Sequence, residues 1–280
     1  MKKFGILGAS GSIGMRHAKN LQDLGYETVC YDPAILNGVS REDVFKDSDA
    51  IIIATPTECH IDDLYSAMAT KKPVFCEKPI AEYPLDSFKE LQMVGYNLRF
   101  HGCARVAKAW LDNDDIGTPM WANFTCGQYN EKYAKAGSGV ILNWSHEIDL
   151  AFHLLGKGAV ISGAVAHTKA GVDFIADISI RHGTNCLSSV HLDYVTQPEV
   201  RQFMICGDKG QIIVDLRGRH AWLRDKDGEI IDQFTDGKTF DDDYIEEIKA
   251  FAEGRYYEGC TGEQGLMTLN ACLAAKGIAA

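Results

Sequence analysis

The run NWSHEID, residues 143 to 149, sets an imidazole among an amide, a hydroxyl and two carboxylates. Three kinds of chemistry suit it. An imidazole that titrates near neutrality can take a proton from a substrate hydroxyl, which makes His146 a general acid or base. On a helix starting near Trp144, His146, Asp149 and His153 fall at i, i+3 and i+7, one face that can hold a metal, while Ile148, Ala151, Phe152 and Leu155 form the apolar face. Asn143 is a favoured helix N-cap, which leaves the histidine as one polar group of a helix face. No further His/Cys cluster completes a ligand set, so no metal is expected.

A second candidate lies at the other end of the chain. GASGSIG, residues 8 to 14, places Gly8, Gly11 and Gly14 where a strand would pass into a helix. Glycines there permit a tight turn, close approach of backbone amides to a pyrophosphate, and close packing of helix on sheet, while the helix N-terminus supplies partial positive charge. The candidate cofactor contacts in this turn are Gly8, Ser10, Gly11, Ser12, Ile13 and Gly14. The spacing is GxxGxxG, one residue longer than GxGxxG, and by itself it fits a ligand-free turn equally well. Asp32, 18 residues after Gly14, ends the next apolar run, near the distance at which a carboxylate accepts hydrogen bonds from the adenosine ribose. A carboxylate there favours NAD and repels the extra phosphate of NADP; Asp32 also suits a turn before Pro33, and both roles can hold. Thr55 and Pro56 follow the third apolar run, at the carboxyl edge expected to face a cofactor, where a polar turn without a ligand is the alternative.

The elements that must position these residues are legible as patterns. Phe4–Leu7, Thr28–Tyr31, Ala50–Ala54, Pro73–Cys76 and Val94–Leu98 are strand-like, and the segments between them have the length of crossover helices. That alternation predicts a parallel sheet. In the crossover after the third strand, Ile61, Leu64 and Met68 recur at helical spacing with Thr57 placed as N-cap. Beyond residue 118 the pattern becomes long and alternating. VDFIADISIR, with Val172, Phe174, Ala176, Ile178 and Ile180 on one face, turns through HGTN into CLSSVHLDYV, a hairpin that makes the second sheet at least partly antiparallel. Helical patterns return at 244–252 and 263–276. The fold class is thus α/β plus α+β: a dinucleotide-binding domain over 1–117 and a second domain over 118–280, with the change of architecture near Ile116–Gly117.

The bulk numbers agree with two soluble domains. The 280 residues are 46% apolar and 24% charged, with a formal charge of -11 and a pI near 5.3. Such a chain repels nucleic-acid backbones and anionic membrane surfaces. Nine scattered cysteines, none in a CxxC pair, argue against a disulfide framework and structural zinc. The N-terminus runs straight into a strand and no apolar run reaches the length of a membrane span, so the expected location is the cytoplasm.

VFCEKP at 74–79, VGYNLRFH at 94–101 and HEIDL at 146–150 follow the glycine turn in an order that resembles the glucose-fructose oxidoreductase and inositol dehydrogenase family (Gfo/Idh/MocA), and the likeness covers nearly the whole chain. The resemblance implies a Rossmann domain and a second domain on an open, largely antiparallel sheet. It implies an NAD(P)-dependent oxidoreductase acting on CH–OH groups of a sugar, an amino or nucleotide sugar, or a cyclitol, with substrate between the nicotinamide and the second sheet. Lys78 matches the family's active-site lysine, whose ammonium can hold charge developing on a substrate oxygen. Glu77 beside it is a cofactor contact, and the Lys78–Pro79 bond is expected to be cis.

Asn97 and Arg99 resemble residues near the substrate cleft, although either suits a structural role, Arg99 as a surface ion pair. His146 matches the general base. The family usually places an aspartate one turn ahead of this histidine; here Asn143 stands three residues before it and can orient the ring but supplies no charge, and Asp149 is the alternative carboxylate. Substrate contacts are therefore expected from Lys78, Asn97, Arg99, Asn143 and His146, and pocket specificity from loops such as 127–139. The glycine turn is one residue longer than the GxGxxG pattern, and the stretch from Ile80 to Met93 is shorter than the family's. A homodimer or homotetramer through the second sheet is expected. A catalytically silent NAD-binding sensor of the same fold is the alternative reading.

Overall fold

A computed structural model describes residues 2–35, 38–130 and 139–277. The chain divides into two compact units, Met1–Phe100 with Phe240–Met267 and His101–Thr239 with Thr268–Ala280. The expected division near Ile116–Gly117 is thus corrected twice. The helix before that point packs on the second unit's strands, and a helical segment from the C-terminal part returns to the first unit.

In the first unit, strands β1 (Lys3–Leu7), β2 (Glu27–Tyr31), β3 (Ala50–Ile53), β4 (Val74–Cys76) and β5 (Met93–Val94) form a parallel sheet in the order β2-β1-β3-β4-β5. The strand order reverses between β1 and β3, so the crevice beyond their carboxyl ends is a topological switch point, the usual ligand position in such sheets. Helix α1 (Ser12–Asp23) covers one face. There His17 meets the ring of Phe75 edge-on at 5.2 Å, and Phe251 lies against Phe4 and Phe75. Helices α2 (Arg41–Asp47) and α3 (His60–Ala69) cover the other: a Cβ on Gly5, whose side faces opposite to Phe4 and Ile6, would lie 2.6 Å from Val44 of α2, and Arg41 reaches Asp63 and Ser66 of α3. Each fully buried Ile or Phe in these layers contributes about 1.5–3 kcal/mol.

Three local expectations change. Thr57 opens a 3-10 turn, Thr57–Cys59, and makes no capping bond; α3 begins at His60. The fifth strand stops at Val94, and Asn97–Phe100 forms a 3-10 turn instead of continuing it. The reason is visible at the sheet edge, where Val94 is bridged by Cys260 and Arg99 N–H turns back to the Tyr96 carbonyl at 3.1 Å. The short connection from Ile80 to Gln92 carries no helix or strand.

The second unit holds helix α4 (Gly102–Asp112), strand β6 (Pro119–Gly127), helices α5 (Val140–Asn143) and α6 (His146–Leu155), and strands β7 (Gly158–His167), β8 (Asp173–His182), β9 (Cys186–Asp193), β10 (Val200–Gly207), β11 (Gly210–Asp215), β12 (His220–Asp225) and β13 (Ile230–Thr235). They make one eight-stranded sheet, β13-β12-β11-β10-β6-β9-β8-β7, antiparallel except where β6 runs parallel to β9. Alternation decides its faces: Ala122, Phe124, Ala176, Ile178, Ile180, Val190, Phe203 and Ile205 are buried, whereas Trp121 and Leu187 point the other way. The 172–193 hairpin has the expected strands and turn. Helix α7 (Phe240–Ala252) belongs to the first unit, and α8 (Gly262–Ala275) spans the division.

Candidate active site

The glycine turn has the close backbone packing that a dinucleotide cradle requires. Gly8 has φ +78°, and its N–H and that of Ala9 both donate to the Tyr31 carbonyl, at 3.0 and 3.1 Å. A Cβ on Gly8 would stand 2.4 Å from the Ala54 carbonyl oxygen, and one on Gly14 only 2.1 Å from the Gly8 carbonyl oxygen. Side chains at these two places would therefore push the β3 end and α1 away from the turn. Gly11 is the N-cap of α1 without a side-chain capping bond, and Ser10, Gly11 and Ser12 are exposed at the positive end of that helix.

Asp32 sits at this turn, immediately after β2. Its Oδ2 accepts the Ser10 N–H at 3.1 Å and its Oδ1 the Ala34 N–H at 2.9 Å. The Ser10 side chain and then the Ala34 amide hold its pKa below the ordinary carboxylate value. Asp32 thus serves the turn at Pro33 and places its carboxylate beside the glycine turn. The residues fit a dinucleotide, because amides, helix end and acidic edge converge where bulk is excluded.

Thr55 and Pro56 follow β3 on the same carboxyl edge. Thr55 uses its hydroxyl inward, donating to Asp63 Oδ2 at 2.7 Å, and Asp63 also takes Arg41 through Nε and Nη2. The Lys78–Pro79 bond is cis. Glu77 is 8% exposed; its Oε1 lies 2.8 Å from His17 Nε2, and its Oε2 accepts the Lys78 N–H at 3.2 Å. The carboxylate is thus held inside the domain, and Lys78 is half-buried.

Asn97 is 1% exposed, and its Nδ2 has no hydrogen-bond acceptor among the described residues. A buried amide hydrogen without an acceptor is costly and marks a place where a ligand oxygen would be welcome. Arg99 is different. Its Nη1 donates to the Gly259 carbonyl at 3.1 Å and to Gln264 Oε1 at 2.7 Å, and the residue is 3% exposed. That guanidinium ties the 3-10 turn to the 259–264 segment through Nη1 and is buried, not at the surface as the ion-pair expectation had it.

NWSHEID is split between two helices. Asn143 is the last residue of α5 and not a cap; Ser145 precedes α6, and Asn143 Nδ2 donates to the Tyr194 hydroxyl at 2.7 Å. Trp144 meets Tyr194 edge-on at 4.7 Å. Helix α6 therefore begins at His146, and its residues from His146 to Phe152 are all buried, so it is not half polar as its period suggests. Glu147 is held by Arg201 in a bidentate pair, 2.6 Å from Nε and 3.1 Å from Nη2. Asp149, 1% exposed, accepts from Thr268 Oγ1 at 3.5 Å. Among the described residues no group of three or more His, Cys, Asp or Glu is placed to hold a metal. Of the loop 127–139, residues 131 to 138 lie outside the described residues.

Sequence reading missed His17, His60, Arg201 and Tyr194. His17 follows Gly14 by three residues and His60 stands seven residues before Ala67 on the same helix, positions that read as ordinary helix polar groups. Only the fold shows what they touch.

Comparison with known proteins gives two domain matches. The NAD-binding Rossmann-fold domain of an oxidoreductase family matches residues 37–96, and the Gfo/Idh/MocA C-terminal domain matches residues 104–213. Among relatives, scyllo-inositol 2-dehydrogenase (NAD+) of Bacillus subtilis is 29% identical over 87% of this chain and 83% of its own. Myo-inositol 2-dehydrogenase of Thermotoga maritima is 25% identical over 98% and 95%. Among solved structures, levoglucosan dehydrogenase in complex with NADH and levoglucosan superposes with a TM-score of 0.82 at 16% identity, covering 99% of this chain and 97% of that one. This likeness in fold extends over both units.

Proposed function

Because the chain belongs to the Gfo/Idh/MocA oxidoreductase family, we propose that it is an NAD-dependent dehydrogenase whose substrate is a sugar, an amino or nucleotide sugar, or a cyclitol. The observation that carries this reading is the union of the glycine cradle with Asp32, which fits NAD and disfavours the ribose phosphate of NADP. Gly8, Ser10, Gly11, Ser12, Ile13, Gly14, Asp32, Thr55 and Pro56 would hold the cofactor. Glu77 contributes through its backbone, since its carboxylate is engaged by His17.

When bound, NAD supplies a hydride acceptor. The remaining work falls to side chains. His146 accepts the proton that leaves the substrate hydroxyl, and Lys78 stabilises the negative charge developing on that oxygen. Asn97 offers its buried amide to a substrate oxygen. Asn143, anchored on Tyr194, and Asp149 are the candidates for orienting the base. Both relatives named above act on inositols, which supports a polyol; neither they nor the levoglucosan enzyme is a silent sensor.

The nine free thiols support a cytoplasmic location, and no helix among the described residues is long and apolar enough to cross a membrane. The outward sheet face supports a homodimer or homotetramer through β6 and β9, because Trp121 and Leu187 are register partners there and are 41% and 45% exposed.

The test is a panel of inositols, aldoses, anhydrosugars and nucleotide sugars assayed with NAD at the reduced-nicotinamide absorbance band. Substrate-dependent growth of that band is expected. Tight NAD binding with no turnover across the panel would favour the sensor.

A further inference from the structure

We propose that two buried histidines, His17 and His60, are positioning residues that grip the Glu77–Lys78–Pro79 turn from opposite faces of the parallel sheet and so set where the Lys78 ammonium stands. The inference rests on the polarising role given to Lys78 above.

The first grip comes from α1. His17 is fully buried, and its Nε2 is 2.8 Å from Glu77 Oε1. The other Glu77 oxygen accepts the Lys78 backbone N–H at 3.2 Å, so helix, imidazole, carboxylate and lysine backbone form one continuous chain of contacts. The carboxylate has little room to leave it. A Cβ on Gly95 would fall 2.6 Å from Glu77 Oε2, so this glycine makes space for the carboxylate and walls it in.

The second grip comes from α3, on the opposite face. His60 is 1% exposed, with Nδ1 2.9 Å from the Pro79 carbonyl oxygen and Nε2 2.8 Å from that of Thr55. Carbonyl oxygens only accept, so the ring is the donor wherever it bonds them. Lys78 is therefore held on both sides along the chain, through Glu77 before it and Pro79 after it. His60 also couples that turn to Thr55, on the edge assigned to the cofactor.

A buried imidazole is an expensive way to fill space, because its nitrogens must be desolvated and then satisfied. Leucine would fill comparable volume without that cost. Two such rings converging from different helices on one three-residue turn indicate that the turn's position is what they secure. Catalytic rates are sensitive to displacements of about 1 Å, which can cost about a hundredfold.

The test uses the full chain with His17→Leu, His17→Gln, His60→Leu, His60→Gln and Lys78→Ala. Turnover and KM are measured with the best substrate of the panel, NAD affinity by titration, and Lys78 accessibility by a pulse of acetic anhydride, read by mass spectrometry against exposed Lys169. The leucine variants should lose about 10- to 100-fold in kcat while KM and NAD affinity change by less than about threefold, and glutamine, which restores a donor, should recover part of the loss. Lys78 acetylation should change by about threefold or more while Lys169 stays constant. Wild-type kcat and wild-type Lys78 labelling in folded leucine variants would overturn the proposal, as would a kcat loss matched by lost NAD affinity with labelling unchanged. Should a leucine variant not fold, Glu77→Gln keeps the volume and weakens the His17 contact, and the same two readouts decide. Full activity in Lys78→Ala would instead remove the role of Lys78, and the labelling arm alone would then decide the grip.

Discussion

Asp32 Oδ2 accepts the Ser10 N–H at 3.1 Å, so the carboxylate that ends β2 is fastened to the turn that begins α1. The residue proposed to set cofactor choice and the turn proposed to hold the cofactor are therefore one structural unit. Replacing Asp32 with alanine should lower the NAD-to-NADP affinity ratio by about one to two powers of ten, because a near-neighbour repulsion is worth a few kcal/mol at most. Titration with both cofactors measures it. An unchanged ratio would mean that Asp32 serves the turn alone. Since its pKa is lowered by Ser10 and Ala34, the wild-type preference should hold through neutral pH and weaken only below the ordinary carboxylate range.

His146→Ala should cut turnover by about two to four powers of ten and leave NAD affinity nearly unchanged, the signature of a lost proton acceptor. Full activity would refute the assignment. Asn143→Asp adds a carboxylate three residues before the imidazole, which should move the pH–rate profile alkaline. A profile that stays in place would leave Asn143 as the anchor on Tyr194 and nothing more.

Buried Glu147 and half-buried Arg201 form a bidentate pair that pins α6 to β10. Glu147→Ala should cost about 3–5 kcal/mol in denaturant unfolding, because it removes the carboxylate from a largely buried ion pair, whereas Glu147→Leu with Arg201→Met should recover most of that loss. A single-variant cost under about 1 kcal/mol would contradict this role.

His182, 3% exposed, has Nδ1 2.9 Å from the Gly156 carbonyl and Nε2 2.8 Å from Ser188 Oγ, an arrangement suited to the neutral ring. Burial holds its pKa below the ordinary 6.5, against the raising effect of the Gly156 carbonyl. In the window just below 6.5 the unfolded chain binds the proton and the folded one does not, so stability is full above that value and falls as pH drops through the window. Stability should fall between pH 7 and pH 5 and should fall less in His182→Gln, as read by urea melts at both pH values.

Much of this was written locally in the chain. The alternation of short apolar runs with crossover lengths gave the parallel sheet, period two gave the 172–193 hairpin, and the glycines of GASGSIG gave the tight strand-to-helix turn, because backbone periodicity and glycine stereochemistry act over a few residues. Asn143 and Arg99 could not be read that way. Each is a residue type that caps, bonds or binds equally well, and only the fold brings Tyr194, 51 positions later, to Asn143 and Gly259, 160 positions later, to Arg99. The division of the chain was likewise set by packing, since α4 and α7 each join the sheet whose apolar face they can cover. The same holds for His17 and His60. A buried imidazole takes its meaning from the groups its nitrogens bond, Glu77 for His17 and the Pro79 and Thr55 carbonyls for His60, and those groups are brought to it by the fold and not by its neighbours in sequence.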